Sequence, residues 1–281
     1  MRDAWLRLRG HRVAAFCVFA FAAIAIACAI GPVVAGALGL DGTTIDTRLG
    51  ASPPSWSHWF GTDTLGRDML VRVLIGGRIA LVVALVTTSI ALVIGVSYGA
   101  VAGFAGGAVD NVMMRFVDVL YGFPTIVFII VVMAVTDSRS LLLLFALIGG
   151  ISWLTMARIV RGQVLGLRTR EFVEAARALG APPSRVLFRH VLPNTSGPVI
   201  VYATLALPQV MLTEAFLSFL GLGVQAPLAS WGTLVTEGSS QIVVYPWLLV
   251  FPALAMCVTV IALNFIGDGL RDALDPQTRI R

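Results

Sequence analysis

The residues whose types and spacing are most informative lie in one arginine-rich run, residues 171–194, between two apolar blocks long enough to cross a bilayer. Good helix formers make up its first half, and apolar residues there recur at spacings of three and four. A short amphipathic helix is therefore expected, with Phe172, Ala175, Ala176 and Leu179 on its apolar face. Small alanines beside a row of cations suit close contact with another surface.

Glycine and proline divide this run into two helices. Gly180 supplies the left-handed residue that ends many helices, and the prolines at 182–183 stop the first helix while suiting the first turn of a second. The second helix is expected at about 184–190, and Pro193 should end it. The sequence thus predicts a helix–turn–helix elbow, the name used below for residues 171–194. A basic loop that serves only membrane topology is the alternative interpretation.

Composition places the chain in a membrane. Of its 281 residues, 58% are hydrophobic and 12% are charged, and the mean hydropathy is +0.90. Soluble domains of this length are far less apolar. The sequence contains no lysine. The chain therefore has neither a phosphate-binding loop ending in Gly-Lys-Ser/Thr nor a lysine that could form a Schiff base.

The cysteines and histidines form no disulfide or metal-binding pattern. They are few and widely spaced: Cys17, Cys28, Cys257, His11, His58 and His190. The cysteines lie in apolar runs and are predicted to be small buried hydrophobic residues. The histidines are predicted to be interfacial or structural, so no metal site is expected.

Six apolar runs are long enough to span the bilayer as helices. Their predicted bounds are about 13–35, 79–104, 112–136, 141–159, 198–222 and 247–266. With both termini inside, fifteen of the twenty arginines fall on the cytoplasmic side, and an odd number of spans would destroy this bias. The fold class is therefore an all-α membrane protein of six transmembrane helices with a cytoplasmic elbow.

These spans divide the chain into four regions. They are a cytoplasmic N-terminus (1–12), the first transmembrane helix with an extracytoplasmic loop (13–78), a transmembrane core that includes the elbow (79–268), and a cytoplasmic tail (269–281). The tail carries alternating charges and is expected to form a short surface helix ended by Pro276. The partly polar segment 223–245 could re-enter the membrane, but only where protein shields its backbone.

The longest polar stretch outside the elbow contains the string GTDTLGRD at 61–68. Gly61 and Gly66 suit tight turns, and Asp63 suits a cap. Nearby charges could pair locally, namely Asp63, Arg67, Asp68 and Arg72. A structural turn is the favoured interpretation of this string, and direct contact with cargo is the alternative.

Small residues predict where two spans meet. Gly95, Gly99 and Gly103 recur every four positions in the second span. One face of that helix should therefore let a neighbouring helix come close.

The third span combines charges with a proline. Arg115 and Asp118 lie three residues apart, on one helix face, and could pair at the membrane edge. Pro124 should kink the helix beyond them.

Two polar residues lie inside the fifth span, Gln209 and Glu214. A carboxylate at that depth costs at least about 2.5 kcal/mol in lipid, so Glu214 is a functional candidate by default. It could line a pathway for cargo. It could equally be protonated and hydrogen-bonded between helices.

Several strings together resemble one protein family. Glu174-Ala175-Ala176, then Gly180 and Leu192-Pro193, resembles the EAA loop of the membrane subunits of ABC importers, although His190 stands where that pattern has Ile. The local RHVLPN resembles the C-type permeases of dipeptide, oligopeptide and nickel importers. Further strings that match in order are GTD–x–x–GRD, DNxxMRxxD, FLSFLGLG, SWG and NFIGDGLRDALDP.

This resemblance implies a type I ABC importer permease fold, half of a peptide pathway, in the bacterial inner membrane. The elbow would be the coupling helix, with these residues coupling to an ATPase: Glu174, Ala175, Ala176, Gly180, Arg185, Arg189, His190, Pro193 and Asn194. The implied partners are a homologous B-type permease, two ABC ATPase subunits, an extracytoplasmic peptide-binding protein and membrane lipid, with no nucleic acid. ATP and magnesium would bind to the ATPases, and this chain would be a transport subunit, not an enzyme.

Other functions fit the sequence less well. A nickel permease of the same family shares these strings. An ion-coupled secondary transporter would need intramembrane carboxylates or histidines, and only Glu214 qualifies. A membrane hydrolase lacks a histidine placed to serve a serine, and it lacks an HExxH motif. A passive channel would leave the elbow unexplained.

Overall fold

A computed structural model of the protein describes residues 12–40, 42–137 and 140–274. Within those ranges the regular structure is helical, apart from one isolated bridge between Thr62 and Asp68. The helices are α1 Arg12–Ala37, α2 Met69–Ala105, α3 Gly107–Tyr121, α4 Thr125–Thr136, α5 Leu141–Leu167, α6 Glu171–Ala178, α7 Pro183–Arg185, the π-helix Val186–Val191, α8 Leu192–Phe219, α9 Trp231–Ser239 and α10 Trp247–Leu274.

Six segments are long and apolar enough to cross a membrane. Five are continuous: α1, α2, α5, α10 and the rod Pro183–Phe219 that contains α8. The sixth is the pair α3 and α4, which is bent by 73°. The predicted all-α protein with six spans is thereby confirmed, and Pro124, the residue before α4, lies at the bend as expected.

Several helices extend beyond their predicted ends. The second span begins at Met69 and the fourth ends at Leu167. Charged residues at the end of an apolar run can remain helical when they find partners, so these helices are longer than their apolar runs. The expected separate tail helix is wrong up to residue 274, since α10 runs unbroken to Leu274. The predicted helix end at Pro276 and the N-terminal arginines at 2, 7 and 9 lie outside the described residues.

The close approach of two spans is confirmed at the glycine face of α2. A Cβ atom on Gly103 would lie 2.8 Å from the carbonyl oxygen of Arg161, and one on Gly95 would lie 2.6 Å from Cβ of Met156. A Cβ atom on Gly99 would collide with the carbonyl oxygen of Ala157. Helices α2 and α5 therefore pack backbone to backbone along their C-terminal halves.

The segment between the last two spans folds onto the protein. Ser230 caps α9 by accepting a hydrogen bond from the Thr233 amide, and Trp231 is buried with Nε1 donating to the Val73 carbonyl oxygen at 2.8 Å. Helix α9 packs against α2, α8 and α10. Protein therefore shields α9, whereas Ile242, Val243 and Val244 near the end of the segment are 47%, 93% and 61% exposed.

Charges on α3 pair with α5 and not with each other. The Arg158 guanidinium donates to Asp118 at 2.8 Å, and Arg161 donates to both oxygens of Asp110 at 2.6 and 2.7 Å. The expected Arg115–Asp118 pair is wrong, because Asp118 points across to α5. Within the described residues Arg115 has no ion pair.

Two of the three cysteines are buried as predicted. Cys17 and Cys28 are buried residues of α1. Cys257 of α10 is exposed, so the prediction that it is buried is wrong. Among the residues that the structure describes, no group of three or more His, Cys, Asp or Glu side chains could hold a metal ion.

Candidate functional site: the elbow and the polar cavity

The turn of the elbow has the backbone that its sequence predicts. Helix α6 ends at Ala178, and Gly180 adopts φ +78°, a left-handed conformation that strains residues with a Cβ. The amides of Gly180 and Ala181 donate to the carbonyl oxygens of Arg177 and Ala176 and close the turn. Pro183 then starts the second arm, where its missing N–H is not needed.

Two residues of α6 face the interior of the protein. Val173 and Ala176 are buried in a cluster with Val186, Leu187 and Val191 of the second arm. The same cluster includes residues from the C-terminal halves of α2 and α5, namely Ala100, Met156, Val160 and Val164. The elbow is therefore packed directly onto the transmembrane helices.

The rest of the predicted apolar face points to the open side. Phe172 is 42% exposed and Leu179 is 89% exposed, and Ala175 is exposed as well. Phe188 of the second arm is 67% exposed. The sequence places Phe172, Ala175 and Leu179 on one apolar face, and in the structure these residues are exposed, while Val173 and Ala176 are buried. Large apolar side chains left exposed in this way mark contact surfaces.

The second arm continues into the membrane. It was predicted to stop at Pro193, but the π-helix Val186–Val191 joins it to α8 without a break, and the prediction is wrong. The amide of Leu192 donates to the Leu187 carbonyl oxygen, five residues back, so the widened turn brings Pro193 into a new first helical turn that tolerates it. Asn194 Nδ2 donates to the His190 carbonyl oxygen at 2.6 Å.

The charged residues of the elbow face outward. Glu174, Arg185 and Arg189 are exposed and His190 is half-buried, and none of the four has an ion pair within the described part of the chain. Arg177 lies over the Phe104 ring at 5.6 Å. The elbow therefore offers cations, a carboxylate and exposed apolar side chains on the side away from the spans.

Gln209 lies at a cavity of about 310 Å³ between the α3–α4 bend, α5 and α8, called here the middle cavity. Its polar lining consists of Tyr121, Thr125, Ser152, Thr155, Tyr202, Gln209 and Thr213. Sequence reasoning found only Gln209. The signal for two others was present, since Tyr202, Gln209 and Thr213 recur at spacings of seven and four and so share one face of α8.

Glu214 does not line the middle cavity. It is 1% exposed, and its Oε1 accepts hydrogen bonds from Ser218 Oγ at 2.8 Å and from Ser230 Oγ at 2.6 Å. The structure places this carboxyl group in the interface between α8 and α9, the second of the two positions considered from the sequence.

The GTDTLGRD string forms a turn tied to α9. Gly61 and Gly66 have φ of +75° and +78°, as a tight turn requires. Asp63 accepts from the amides of Leu65 and Arg67. The residue that caps α2 is Asp68, which accepts a hydrogen bond from the Val71 amide, and not Asp63 as expected.

Four ion pairs hold this loop, and the one between Asp63 and Arg72 is buried on both sides. Asp63 Oδ2 lies 2.7 Å from Arg67 and 2.6 Å from Arg72, which also reaches Glu237 of α9 at 3.0 Å. His58 Nδ1 lies 2.9 Å from Asp68. The local pairing expected for these charges is confirmed, with Glu237 as a partner that the sequence did not indicate.

Comparison with known proteins gives the same family as the sequence strings. The family model of the binding-protein-dependent transport system inner membrane component matches residues 95–280. The oligopeptide transport system permease protein OppC of Haemophilus influenzae is 51% identical over 79% of this chain and 71% of its own length. OppC of Escherichia coli strain K12 is 46% identical over 99% and 91% of the two chains.

A third relative carries a different cargo in its name. The dipeptide transport system permease protein DppC of Bacillus subtilis is 42% identical over 99% of this chain and 86% of its own length. Matches of this identity and coverage span the loop at 61–68, the elbow and α10. The chain therefore belongs to the family of binding-protein-dependent transport system inner membrane components, the permease subunits of ABC importers.

Proposed function

We propose that this permease subunit imports peptides, and that its elbow transmits the work of separate ATPase subunits to the transmembrane helices. Peptide cargo is supported by the relatives, whose names specify oligopeptide or dipeptide transport. The coupling role rests on one observation. The second arm of the elbow and the fifth span form a single helical rod, Pro183–Phe219.

A continuous rod moves as one body. Displacement of the elbow by an ATPase would tilt α8, which lines the middle cavity. The first arm is fixed to the same body through Val173 and Ala176, so both arms follow together. The proposed coupling residues are those expected from the sequence: Glu174, Ala175, Ala176, Gly180, Arg185, Arg189, His190, Pro193 and Asn194.

The working importer contains further subunits. The proposed set is a homologous B-type permease, two ABC ATPases that bind ATP and magnesium, and an extracytoplasmic peptide-binding protein. ATP binding closes the ATPase pair and moves the elbows, the spans open outward to receive the peptide, and hydrolysis resets the cycle. The exposed Arg185 and Arg189 suit charge-assisted hydrogen bonds to an ATPase.

The orientation of the chain follows from its charges. Fifteen of twenty arginines lie on the elbow side when both termini are cytoplasmic. We infer a multi-pass protein of the bacterial inner membrane with regions 1–12, 13–78, 79–268 and 269–281 arranged as predicted. Gln209 is proposed to line the pathway, and Glu214 to hold α9 against α8.

The coupling role is tested with Gly180→Val in the complete importer in proteoliposomes. A β-branched residue in the left-handed conformation costs about 1–2 kcal/mol, so the turn should reshape and ATP-driven uptake of labelled trialanine should fall roughly tenfold or more. Stimulation of ATP hydrolysis by the binding protein should be lost in parallel, while the chain remains inserted.

Gly162→Val is the matched control. Gly162 lies in α5 with no atom within 4 Å of the added Cβ, and its backbone is helical, so uptake should stay within twofold of the unmodified importer. Normal uptake by Gly180→Val would overturn the coupling role. Uptake of Ni²⁺ but not of trialanine by the unmodified importer would replace the peptide cargo by nickel.

A further inference from the structure

Tyr121 links two cavities. It lines the middle cavity, and Arg158, which contacts its ring, lines a second cavity of about 530 Å³, called here the inner cavity. The inner cavity is lined by Asn111, Met114, Arg115, Asp118, Arg158 and Arg161. Arg158 lies over the Tyr121 ring at 4.0 Å, and the Tyr121 hydroxyl is hydrogen-bonded to Thr155 of the middle cavity. Tyr121 is therefore the partition between them.

The lining of the inner cavity carries more positive than negative side chains. Arg158 donates to Asp118 at 2.8 Å, with side chains 44% and 59% exposed, and Arg161 is held by Asp110. Arg115 lines the same space and has no ion pair within the described residues. The cavity therefore combines one exposed carboxylate with two accessible guanidinium groups. A group with both a negative and a positive charge would satisfy it best.

The two faces of α3 differ in polarity. Val112, Phe116 and Val119 are exposed to 71%, 53% and 62% and form an apolar face. The polar residue Asn111 and the charged residues Arg115 and Asp118 lie toward α5 instead. Because charges facing lipid are costly, the apolar face suits lipid or another subunit, and the charged face suits an aqueous passage.

The backbone next to Tyr121 allows the partition to move. Tyr121 is the last residue of α3, and α4 starts at Thr125 at an angle of 73°. Because the helical hydrogen bonds are already interrupted between them, α3 can shift relative to α4 without breaking a continuous helix.

We propose that Tyr121 is a gate in the peptide passage of this subunit and that the inner cavity binds the charged ends of the peptide. The terminal carboxylate binds Arg158 and Arg115, and the terminal ammonium binds Asp118. Without peptide, Arg158 and Asp118 pair with each other, so binding exchanges this one ion pair for three with the peptide. This inference rests on the proposed peptide function and adds to it the residues that receive the cargo.

Arg158→Gln tests the carboxylate partner. The complete importer is assayed in proteoliposomes for uptake of trialanine and of its C-terminal amide, each with the same binding protein. Because the binding protein is unchanged, any change in the ratio of the two rates belongs to this chain. The variant should lower the preference for the free carboxylate at least fivefold, with a smaller effect on the amide.

Arg168→Gln, at the C-terminal end of α5, is the control. Arg168 donates to the Gly103 carbonyl oxygen and lines neither cavity, so its removal should leave the ratio unchanged even where both rates fall. An unchanged ratio in Arg158→Gln, with trialanine still imported, overturns the inference and leaves the proposed function standing. A new dependence on phosphatidylglycerol instead would assign the inner cavity to a lipid headgroup and also overturn it.

Thiol labelling tests the passage without removing a charge. In a variant without the three native cysteines, Thr155→Cys should react with a charged, membrane-impermeant methanethiosulfonate, and trialanine delivered by the binding protein should slow the reaction several-fold. Val93→Cys is the control. Val93 lies on α2 at a depth similar to that of Thr155, because nearby Gly95 packs against Met156, the residue after Thr155. Val93 is 69% exposed, and Val93→Cys should not react. Equal labelling at both positions, or no protection by peptide, overturns the inference.

Discussion

At the scale of single residues, the structure separates two intramembrane polar groups that look alike in the sequence. Gln209 and Glu214 lie five residues apart in the same span. Gln209 is exposed at the middle cavity, whereas Glu214 is 1% exposed and bonded to two serines. The sequence could identify both as unusual, but not their directions, because the tertiary partner Ser230 lies in a different helix.

Glu214→Gln should leave uptake of trialanine within twofold across pH. The amide oxygen of glutamine can accept the same hydrogen bonds from Ser218 and Ser230, so the interface survives. Glu214→Ala leaves both hydroxyls without that partner and opens a cavity, which should cost about 2–4 kcal/mol and lower the Tm in detergent. A pH-dependent loss of uptake in Glu214→Gln would assign the carboxylate to transport.

For Gln209→Ala we expect the opposite result, a loss of uptake with little change in stability. Its side chain is exposed, so the Tm should change little, while uptake should fall if the middle cavity carries peptide. Together the two positions separate stability from transport.

At the scale of elements, apolar run length predicts the six spans, and glycine spacing predicts which faces meet. The ends of the spans were predicted poorly because polar residues such as Arg161 find partners on neighbouring helices and continue the helix. The π-helix at Val186–Val191 could not be predicted either. Pro193 normally argues for a helix end, but the π-turn places it in the first turn of α8, which tolerates proline, so the rod continues.

Gly99→Ala should destabilise the pair of α2 and α5. The added methyl group would collide with the carbonyl oxygen of Ala157, and backbone atoms can yield only if the helices separate. Overpacking of this kind costs about 1–3 kcal/mol, so the Tm in detergent should fall by several degrees.

Gly150→Ala is the control on α5. It has no atom within 4 Å of the new Cβ, and alanine favours a helix, so the Tm should be equal or higher. Equal Tm values for the two variants and the unmodified chain would show that α2 and α5 are not held at Gly99.

At the scale of the whole molecule, the exposed side of the elbow is suited to dock another protein. Its transmembrane side is covered by α2 and α5, and its other side presents Phe172, Leu179 and Phe188 beside unpaired arginines. Most of this surface could be predicted from the sequence as a docking region. The individual apolar contacts could not, because the helical period groups Phe172 and Leu179 on one face without telling whether that face packs on the chain or points outward.

Leu179→Asp combined with Phe188→Asp should weaken binding of the ATPase subunits. The two side chains are 89% and 67% exposed, so charging them leaves the fold of the chain intact. Loss of an apolar anchor at an interface costs about 2 kcal/mol or more, roughly a thirtyfold rise in Kd. Co-purification of the ATPases with this chain, followed by titration of ATP hydrolysis, measures the effect.

Trp56→Asp is the matched control for that pair. Trp56 is 98% exposed in the loop before α2, at the opposite end of the spans from the elbow, so its charge should not affect ATPase binding. If the elbow variant keeps its ATPases at the affinity of the Trp56 variant, the exposed apolar residues do not form the docking surface. Coupling would then have to rest on Glu174, Arg185 and Arg189, and binding should become strongly sensitive to salt, because exposed ion pairs are screened.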